Sequence, residues 1–330
     1  MSHASFCKKK DEERIMRVGF IGLGNVGGKL AGSLLRNGTD LSVHDLRQDL
    51  MTDFIARGAQ VGGSAAHLMR SCDVVITCLP SPAASAAVMD EMLPQVTSGK
   101  IWLEMSTTDE AEVKRLGAAV IAAGGAAVDC PVSGGCHRAD TGNISIFAGC
   151  KRATFERILP LLTKMGRRIL HTGELGSASV LKVITNFMAT ANLVSCAEAL
   201  TVAKAAGMNL NVAYEALKIS SGTSFVHETE SQVILNGSRD ISFTMDLVAK
   251  DIGLFQEVAD RAEVPLELNP LLIEIFQDGI ARFGPRELSP NIIKRLEEAT
   301  GLSIQAPGFP AEMVDDEPEE PGYEVKVNSL

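Results

Sequence analysis

A single lysine, Lys182, lies in the largely apolar run GELGSASVLKVITNFMATANLV, and Asn186 follows it four residues later. On a helix this spacing places both side chains on one face, one turn apart. Burial among apolar groups disfavours an ammonium, so we expect the pKa of Lys182 to fall from about 10.4 toward neutral pH. Such a lysine can act as a general acid or base. The alternative is a lysine that extends from a helix end to water.

A glycine-rich turn near the start of the chain is the second candidate site. GFIGLGNVGGKL carries Gly22, Gly24 and Gly27 in GxGxxG spacing, directly after the predicted strand RVGFI and before a predicted helix at about 25–37. This context favours a dinucleotide-binding turn, in which close backbone and a helix N-terminus hold a pyrophosphate. A plain glycine turn is the alternative.

The choice of dinucleotide depends on Asp45, which ends the next predicted strand, LSVHD. A carboxylate at this position accepts hydrogen bonds from the ribose hydroxyls and repels a 2′-phosphate, which favours NAD over NADP. Asp45 could instead be an ordinary helix cap, and Arg47 could accommodate NADP.

A third candidate site is the glycine pair in DCPVSGGCHRADTG. The backbone N–H groups of Gly134 and Gly135, after Ser133, can form a small nest for an anion. A glycine-rich turn between a strand and a linker is the alternative.

The elements that must position these residues change in kind along the chain. Short β-branched runs alternate with helical stretches up to about residue 173, and helical patterns follow. This order predicts an α/β fold, in which an N-terminal Rossmann doubly wound parallel sheet precedes an all-α C-terminal domain. We predict an N-terminal extension (1–16), an NAD-binding Rossmann domain (17–174), a helical substrate and oligomerisation domain (175–304) and an acidic C-terminal arm (305–330).

The helical half carries its own start and stop signals. The apolar stretch 177–205 predicts one long buried helix. Asn269 and Ser289, each followed by proline, predict the starts of two later helices, and Gly301 predicts the end of the second. Beyond residue 305 the chain is rich in proline, glycine and acid, which cannot build a core. We expect this arm to be extended and to reach a neighbouring subunit.

The composition limits the class of protein. The 330 residues are 45% hydrophobic and have a formal net charge of −10, which disfavours nucleic acid and anionic membrane as partners. The start of the chain lacks the apolar core of a signal peptide, and seven cysteines without a CxxC pair are typical of reduced thiols, so we predict a cytoplasmic protein. The scattered histidines indicate no metal site.

The motifs together form an ordered set: GxGxxG, then CPVSGG, then GxxxxxK with asparagine four residues on, then FTMDLVAKDIGL. This set, over about residues 17–300, resembles the β-hydroxyacid dehydrogenase family, the 3-hydroxyisobutyrate dehydrogenases and their relatives. The resemblance implies an NAD-dependent oxidoreductase that moves hydride to or from a small β-hydroxy acid, as a homo-oligomer.

The resemblance also implies roles for individual residues. Lys182, Asn186 and Ser133 match the family's catalytic residues, and Ser133, Gly134 and Gly135 match its segment for the substrate carboxylate. The residues that match its cofactor site are Gly22, Gly24, Asn25, Val26, Gly27, Asp45, Leu79, Pro80, Thr107 and Lys250. For Lys250 with Asp251, a solvated helix face is the alternative.

Departures from the family pattern leave the substrate open. Arg138 and Ala139 stand where the family often has Gly-Ala, which points to a more anionic substrate, and Thr185 stands where it often has a first asparagine. Alternatives within the family are a dehydrogenase or reductase for 4-hydroxybutyrate, tartronate semialdehyde, a C3 sulfonate or L-serine. A protein that binds NAD for an interaction, without catalysis, is the alternative from another class.

Overall fold

The computed structural model describes residues 16–327, and a central sheet carries the first half of this range. The predicted N-terminal extension lies outside the described residues except for Met16. The strands are β1 (Arg17–Ile21), β2 (Asp40–His44), β3 (Gln60–Val61), β4 (Val74–Thr77), β5 (Ile101–Glu104), β6 (Ala126–Asp129), β7 (Val132–Ser133), β8 (Ser145–Gly149), β9 (Arg168–Gly173) and β10 (Tyr323–Glu324).

Helices flank the sheet and build the second half of the described chain. They are α1 (Asn25–Arg36), α2 (Gln48–Ala56), α3 (Ala65–Ser71), α4 (Pro82–Met92), α5 (Glu110–Ala122), α6 (Gly135–Thr141), α7 (Arg152–Leu162), α8 (Ser177–Ala205), α9 (Leu210–Lys218), α10 (Phe225–Asn236), α11 (Met245–Arg261), α12 (Leu268–Phe283) and α13 (Lys294–Thr300). Short 3₁₀ helices lie at Leu93–Gln95 and Ser289–Ile293.

The strand order is β3-β2-β1-β4-β5-β6-β8-β9-β10, with β7 paired to β8. Pairing is parallel from β3 to β6, β8 runs antiparallel to β6, and β8, β9 and β10 are parallel to one another. The order of the first six strands is that of dinucleotide-binding domains. The predicted fold class is therefore confirmed: a doubly wound sheet followed by helices.

The change from sheet to helices falls between the end of β9 at Gly173 and the start of α8 at Ser177. The residue before α8, Gly176, has a left-handed backbone and no side chain to cap the helix. A buried carboxylate from the end of β6 takes that role: Asp129 accepts hydrogen bonds from the backbone N–H groups of Gly176 and Ser179, both at 2.8 Å. The sheet and the long helix are thus joined through one side chain.

Helix α8 is the centre of the helical half, where it packs against α9, α10, α11 and α12 as well as against the sheet. By length and composition alone it is the one helix of residues 16–327 that is apolar enough to cross a membrane. Within its most apolar window 33% of the residues are buried, so much of its apolar surface has no cover within the chain.

The two helix starts predicted at Asn269 and Ser289 differ from those in the structure. Helix α12 begins at Leu268, and Asn269 does not cap it but is buried and donates to Ile252 O and Gln256 Oε1. Ser289 begins a 3₁₀ helix, and its hydroxyl caps nothing. Gly301 does end α13, with a left-handed backbone.

The predicted C-terminal arm makes contacts along its own chain. We call residues 305–327 the strap. It first follows the helical half, where Asn211, Asn236 and Ser238 donate side-chain hydrogen bonds to its backbone carbonyls. Contrary to the sequence prediction, two of its residues, Ala306 and Phe309, pack against the helical core. The strap then crosses to the sheet and ends as the edge strand β10 beside β9.

Candidate active site

Lys182 is the centre of a hydrogen-bonded array between α8 and α11. Its Nζ donates to Asn186 Oδ1 at 2.7 Å, as the i, i+4 spacing predicted. Asn186 Nδ2 donates to Asp251 Oδ2 in a short hydrogen bond. Since the carboxylate can only accept, it fixes the orientation of the asparagine amide, so that its carbonyl oxygen faces the lysine.

The burial of this array lowers the pKa of Lys182 to about 8. Removal from water is the main cause, and the nearby charge of Lys250 acts in the same direction, whereas the charge of Asp251 opposes both. A lysine that titrates near neutral pH can release and accept a proton under working conditions. The exposed helix-end lysine, the alternative at the sequence level, is not what the structure contains.

Lys250 joins this array to the sheet. Its Nζ lies 3.0 Å from Asp251 Oδ1 and donates to the backbone carbonyl of Thr107 at 2.9 Å. Lys250 is therefore not simply a solvated surface group. Thr107 follows β5, so the contact brings the carboxyl end of the sheet against α11.

The glycine turn fits a dinucleotide. A Cβ on Gly22 would lie 2.3 Å from the carbonyl oxygen of Cys78, and one on Gly27 would lie 2.0 Å from Gly22 O, so both close approaches require glycine. Gly24 faces open space and begins α1 without a side-chain cap. The first N–H groups of α1, at Asn25 and Val26, are thus available to a pyrophosphate.

Asp45 directly follows β2, and its carboxylate contacts the glycine turn. Its Oδ2 accepts from the backbone N–H of Leu23 at 2.6 Å, and its Oδ1 accepts from that of Arg47 at 2.8 Å. Asp45 does not cap α2, whose first turn receives no side-chain cap. The Arg47 side chain, which could otherwise attract a 2′-phosphate, is paired with Asp49. Both observations favour NAD.

The two loops that carry Leu79, Pro80 and Thr107 are joined by polar groups that the sequence analysis missed. Ser106 Oγ accepts from the backbone N–H of Leu79 at 2.7 Å, and Glu104 Oε1 accepts from that of Ser106 at 2.9 Å. Burial raises the pKa of Glu104. These bonds hold both loops in one arrangement at the end of the sheet.

The predicted carboxylate segment lies at the turn from β7 into α6. Gly134 and Gly135 have φ values of 130° and 88°, which other residues rarely adopt, and Gly135 is exposed. Ser133 is half-buried at the end of β7, against which α8 packs. Backbone N–H groups in successive residues of such conformation can form an anion nest.

Arg138, which the sequence analysis connected with an anionic substrate, has partners in its own chain. Its Nη2 lies 3.0 Å from Glu317 Oε1, and its Nε lies 3.9 Å from Asp315 Oδ1. Its guanidinium also lies over the ring of Phe225, 4.9 Å from the centroid. The strap and α10 therefore meet beside the glycine pair.

Two residues that organise the array were not assigned a role from the sequence. Asp129 caps the start of α8 by accepting from the N–H of Ser179, three residues before Lys182. Asp251 fixes the orientation of the Asn186 amide. The motif letters DCPVSGG and KD contain both, which is the signal that could have found them. Within residues 16–327 no group of three or more histidine, cysteine and acidic side chains could hold a metal ion.

Comparison with known protein families accounts for most of the chain. Residues 17–173 match the model described as the NAD binding domain of 6-phosphogluconate dehydrogenase. Residues 176–296 match the model described as NAD-binding of NADP-dependent 3-hydroxyisobutyrate dehydrogenase. The two matches adjoin at the junction between β9 and α8.

Curated relatives and solved structures give the same assignment. The chain is 31% identical to 2-(hydroxymethyl)glutarate dehydrogenase of Eubacterium barkeri, over 88% of this chain and 98% of that protein. It is 32% identical to NAD-dependent L-serine dehydrogenase of Pseudomonas aeruginosa, over 86% and 98%.

A solved structure of 3-hydroxyisobutyrate dehydrogenase from Salmonella typhimurium superposes with a TM-score of 0.77 at 26% identity, over 85% of this chain and 99% of that one. That of Mycobacterium tuberculosis 3-hydroxyisobutyrate dehydrogenase with L-serine superposes with a TM-score of 0.78 at 23% identity, over 86% and 99%, which shows a shared fold. On these matches, and on the motifs now placed in the fold, the chain belongs to the β-hydroxyacid dehydrogenase family.

Proposed function

We propose that this chain moves hydride between NAD and the alcohol carbon of a small β-hydroxy acid of the 3-hydroxyisobutyrate type, with Lys182 as general acid and base. The observation that carries the proposal is the buried lysine with a pKa of about 8, held by Asn186 beside Lys250, which contacts Thr107. NAD, when bound, supplies the hydride acceptor and donor.

The protein's part in the oxidation is the proton. The neutral amine of Lys182 takes the hydroxyl proton as the C–O double bond forms, and in the reverse direction the ammonium returns it. Because Asn186 Oδ1 can only accept, one N–H of Lys182 is directed to it in either state. The remaining N–H or the lone pair of Nζ is then available to the substrate oxygen.

The carboxylate of the substrate would be held at Ser133, Gly134 and Gly135. Three properties support this assignment: the hydroxyl of Ser133, the positive φ values of the two glycines, and the packing of β7 against the helix that carries Lys182. In a short β-hydroxy acid held there, only a few bonds separate the bound carboxylate from the hydroxyl on the β-carbon. Such an acid could be held at this segment while its hydroxyl reacts.

A homo-oligomer is part of the proposal. Large apolar side chains are exposed on the helical half, including Met188 and Val202 on α8, at 57% and 66% exposure. Such surfaces in one chain are typical of subunit contacts. We also propose a cytoplasmic location, which agrees with the six cysteines of the described residues being free of disulfides.

The proposed activity is tested by a panel of acids with NAD: 3-hydroxyisobutyrate, L-serine, 2-(hydroxymethyl)glutarate and 4-hydroxybutyrate, and tartronate semialdehyde and a C3 sulfonated aldehyde with NADH. We expect oxidation of at least one β-hydroxy acid. A chain that binds NADH but turns over no member of the panel would support the non-catalytic alternative.

Replacement of Lys182 tests the mechanism. In Lys182→Ala, and in Lys182→Met, which keeps the volume, we expect kcat to fall by about 10² to 10⁴, the usual contribution of a positioned acid or base. The wild-type kcat/KM for oxidation should rise with pH through about 8, because only the neutral amine accepts a proton. This limb should be absent in both variants, whereas NADH affinity, measured by fluorescence, should change little.

Lys204→Ala is the matched control, since it removes a lysine from the other end of α8. It should keep the wild-type rate and pH profile. If both Lys182 variants turn over within a few-fold of wild type, the lysine is structural and the mechanism is wrong.

Asp251→Asn tests how the array sets the lysine. Loss of the carboxylate removes the charge that raises the pKa of Lys182, so the rising limb of kcat/KM should move to lower pH. We expect kcat to fall about tenfold, because Asn186 loses a charged, acceptor-only partner and an amide in its place can present either its oxygen or its NH2 group. Asp260→Asn, an exposed change on the same helix, should leave the profile in place. A profile that stays unchanged in Asp251→Asn would refute this role.

Cofactor choice is tested at Asp45. We expect kcat/KM for NAD to exceed that for NADP by at least about tenfold, or ~1.4 kcal/mol. Asp45→Asn should reduce this ratio by a similar factor, because the repulsion of a 2′-phosphate is lost. Asp53→Asn, on the exposed face of α2, should preserve it. Equal efficiencies in the wild type would contradict the NAD assignment.

The assembly is tested by sedimentation velocity at micromolar concentration. We expect a dimer or tetramer, and we expect Val202→Asp, a charge on the exposed apolar face of α8, to reduce association. A monomeric wild type would overturn this part of the proposal.

A further inference from the structure

The strap brings its own side chains to the glycine pair that is proposed to hold the substrate carboxylate. The family models end at residue 296, so the strap lies outside the part of the chain that defines the family. Its inward-facing residues alternate: Met313, Asp315 and Glu317 are half-buried, whereas the residues between them are exposed. This period of two is that of an extended segment with one face against the protein.

Met313 lies beside the carboxylate segment. Its Cε is 3.7 Å from the position that a Cβ on Gly135 would take, a normal van der Waals distance, and the ring of His137 lies nearer, at 2.9 Å. The segment is fixed on both sides of this residue, by the bridge between Asp240 and Glu312 and by the contacts of Asp315. Met313 is therefore a positioned neighbour of Gly135.

Asp315 and Glu317 form ion pairs with the guanidinium of Arg138, at 3.9 Å and 3.0 Å respectively. The Asp315 side chain is only 3% exposed, and it also accepts hydrogen bonds from Thr141 Oγ1 and from Asn143 Nδ2, the latter at 2.8 Å. Arg138 in turn lies close to Gly134, since its Cδ is 3.3 Å from the ideal Cβ position there. The one arginine on this turn is thus neutralised by carboxylates of the same chain.

We propose that the strap sets the substrate specificity of the site: Met313 limits the space beside Gly135, and Asp315 and Glu317 withhold Arg138 from a second substrate carboxylate. This inference rests on the proposed function. The wild-type site would take short monocarboxylates, because a dicarboxylate must compete with two tethered carboxylates for the same guanidinium.

The proposal predicts that release of Arg138 favours a dicarboxylate. In the double variant Asp315→Asn, Glu317→Gln, the ratio of kcat/KM for 2-(hydroxymethyl)glutarate to that for 3-hydroxyisobutyrate should rise at least about tenfold, mainly through KM. Addition of Arg138→Gln should remove the gain. In Met313→Ala the ratio should rise about three- to tenfold through the added space, and in Met313→Leu it should stay near the wild-type value.

Glu324→Gln is the matched control, because it removes a strap carboxylate that pairs with Arg152 at β10. Its ratio should equal that of the wild type. Calorimetric titration with glutarate in the presence of NADH gives a second readout, independent of turnover: the double variant should bind glutarate at least about tenfold more tightly.

The outcomes separate this inference from the proposed function. A wild type that turns over no member of the panel contradicts the function, whereas tighter glutarate binding by the double variant would still support the role of the strap. Unchanged ratios and unchanged glutarate binding, in folded double and Met313→Ala variants, would overturn the inference. If the double variant does not fold, the kcat/KM ratio of Met313→Ala decides whether the inference stands.

Discussion

The buried carboxylate of Asp129 is the interaction on which the arrangement of the site depends. It accepts from the N–H groups of Gly176 and Ser179, so it fixes the start of α8 against the end of β6. Ser133 follows it by four residues along the chain, and Lys182 follows Ser179 by three. One side chain thereby relates the turn proposed for the carboxylate to the proposed proton carrier. Its burial raises its pKa, and the two N–H donors counteract that effect.

The surroundings of Asp129 are shaped for this role. Gly149 at the end of β8 lies so close that a Cβ there would be 2.3 Å from Asp129 Oδ1. Any larger residue would displace the carboxylate from the helix terminus. Position 149 on β8 thus requires glycine because Asp129, at the end of β6, caps α8. The position of Lys182 on α8 depends on both residues.

The charges around Lys182 balance each other. Burial and Lys250 favour the neutral amine, and Asp251 favours the ammonium. Without the Asp251 carboxylate the pKa would be lower and the amine would be a poorer proton donor, whereas a fully compensated ion pair would keep it charged. Burial is thus the main cause of the pKa of about 8, Asp251 opposes it, and Lys250, which also pairs with Asp251, adds to it.

Local rules explain which of these features the sequence could predict. The i, i+4 relation of Lys182 and Asn186 is a property of any helix, and the glycine turn between a strand and a helix is specified by backbone geometry alone. The contact between Asn186 and Asp251 joins residues 65 positions apart, and it depends on how α8 packs against α11. No spacing rule predicts such a contact, although both partners lay in motifs.

The predicted helix ends show the same distinction between local rules and packing. Gly301 ended its helix as predicted, because the left-handed backbone at that position is a local requirement. Asn269 did not begin one, because it lies inside the first turn of α12, where its Nδ2 donates to two buried acceptors on α11 and its Oδ1, the atom that would cap, accepts no hydrogen bond within the described residues. A side chain that can cap can also bond elsewhere, and only the packed structure determines which partner it takes.

The strap shows how composition can predict a property and miss its consequence. Its acidity indicated that it cannot build a core. The acidity did not indicate that arginines of the sheet half would form ion pairs with it. The pairs are Arg36–Glu319, Arg138–Glu317, Arg168–Glu317, Arg167–Glu320 and Arg152–Glu324. Half-exposed ion pairs each contribute little to stability.

What the pairs do determine is register. The strap can pair with these arginines in one alignment, because a shift of one residue would turn Asp315 and Glu317 outward and Val314 inward. The bridge of Glu312 to Asp240 on one side and the pairing of β10 with β9 on the other side fix the same alignment. The position of Met313 beside Gly135 is therefore a consequence of contacts along the whole strap.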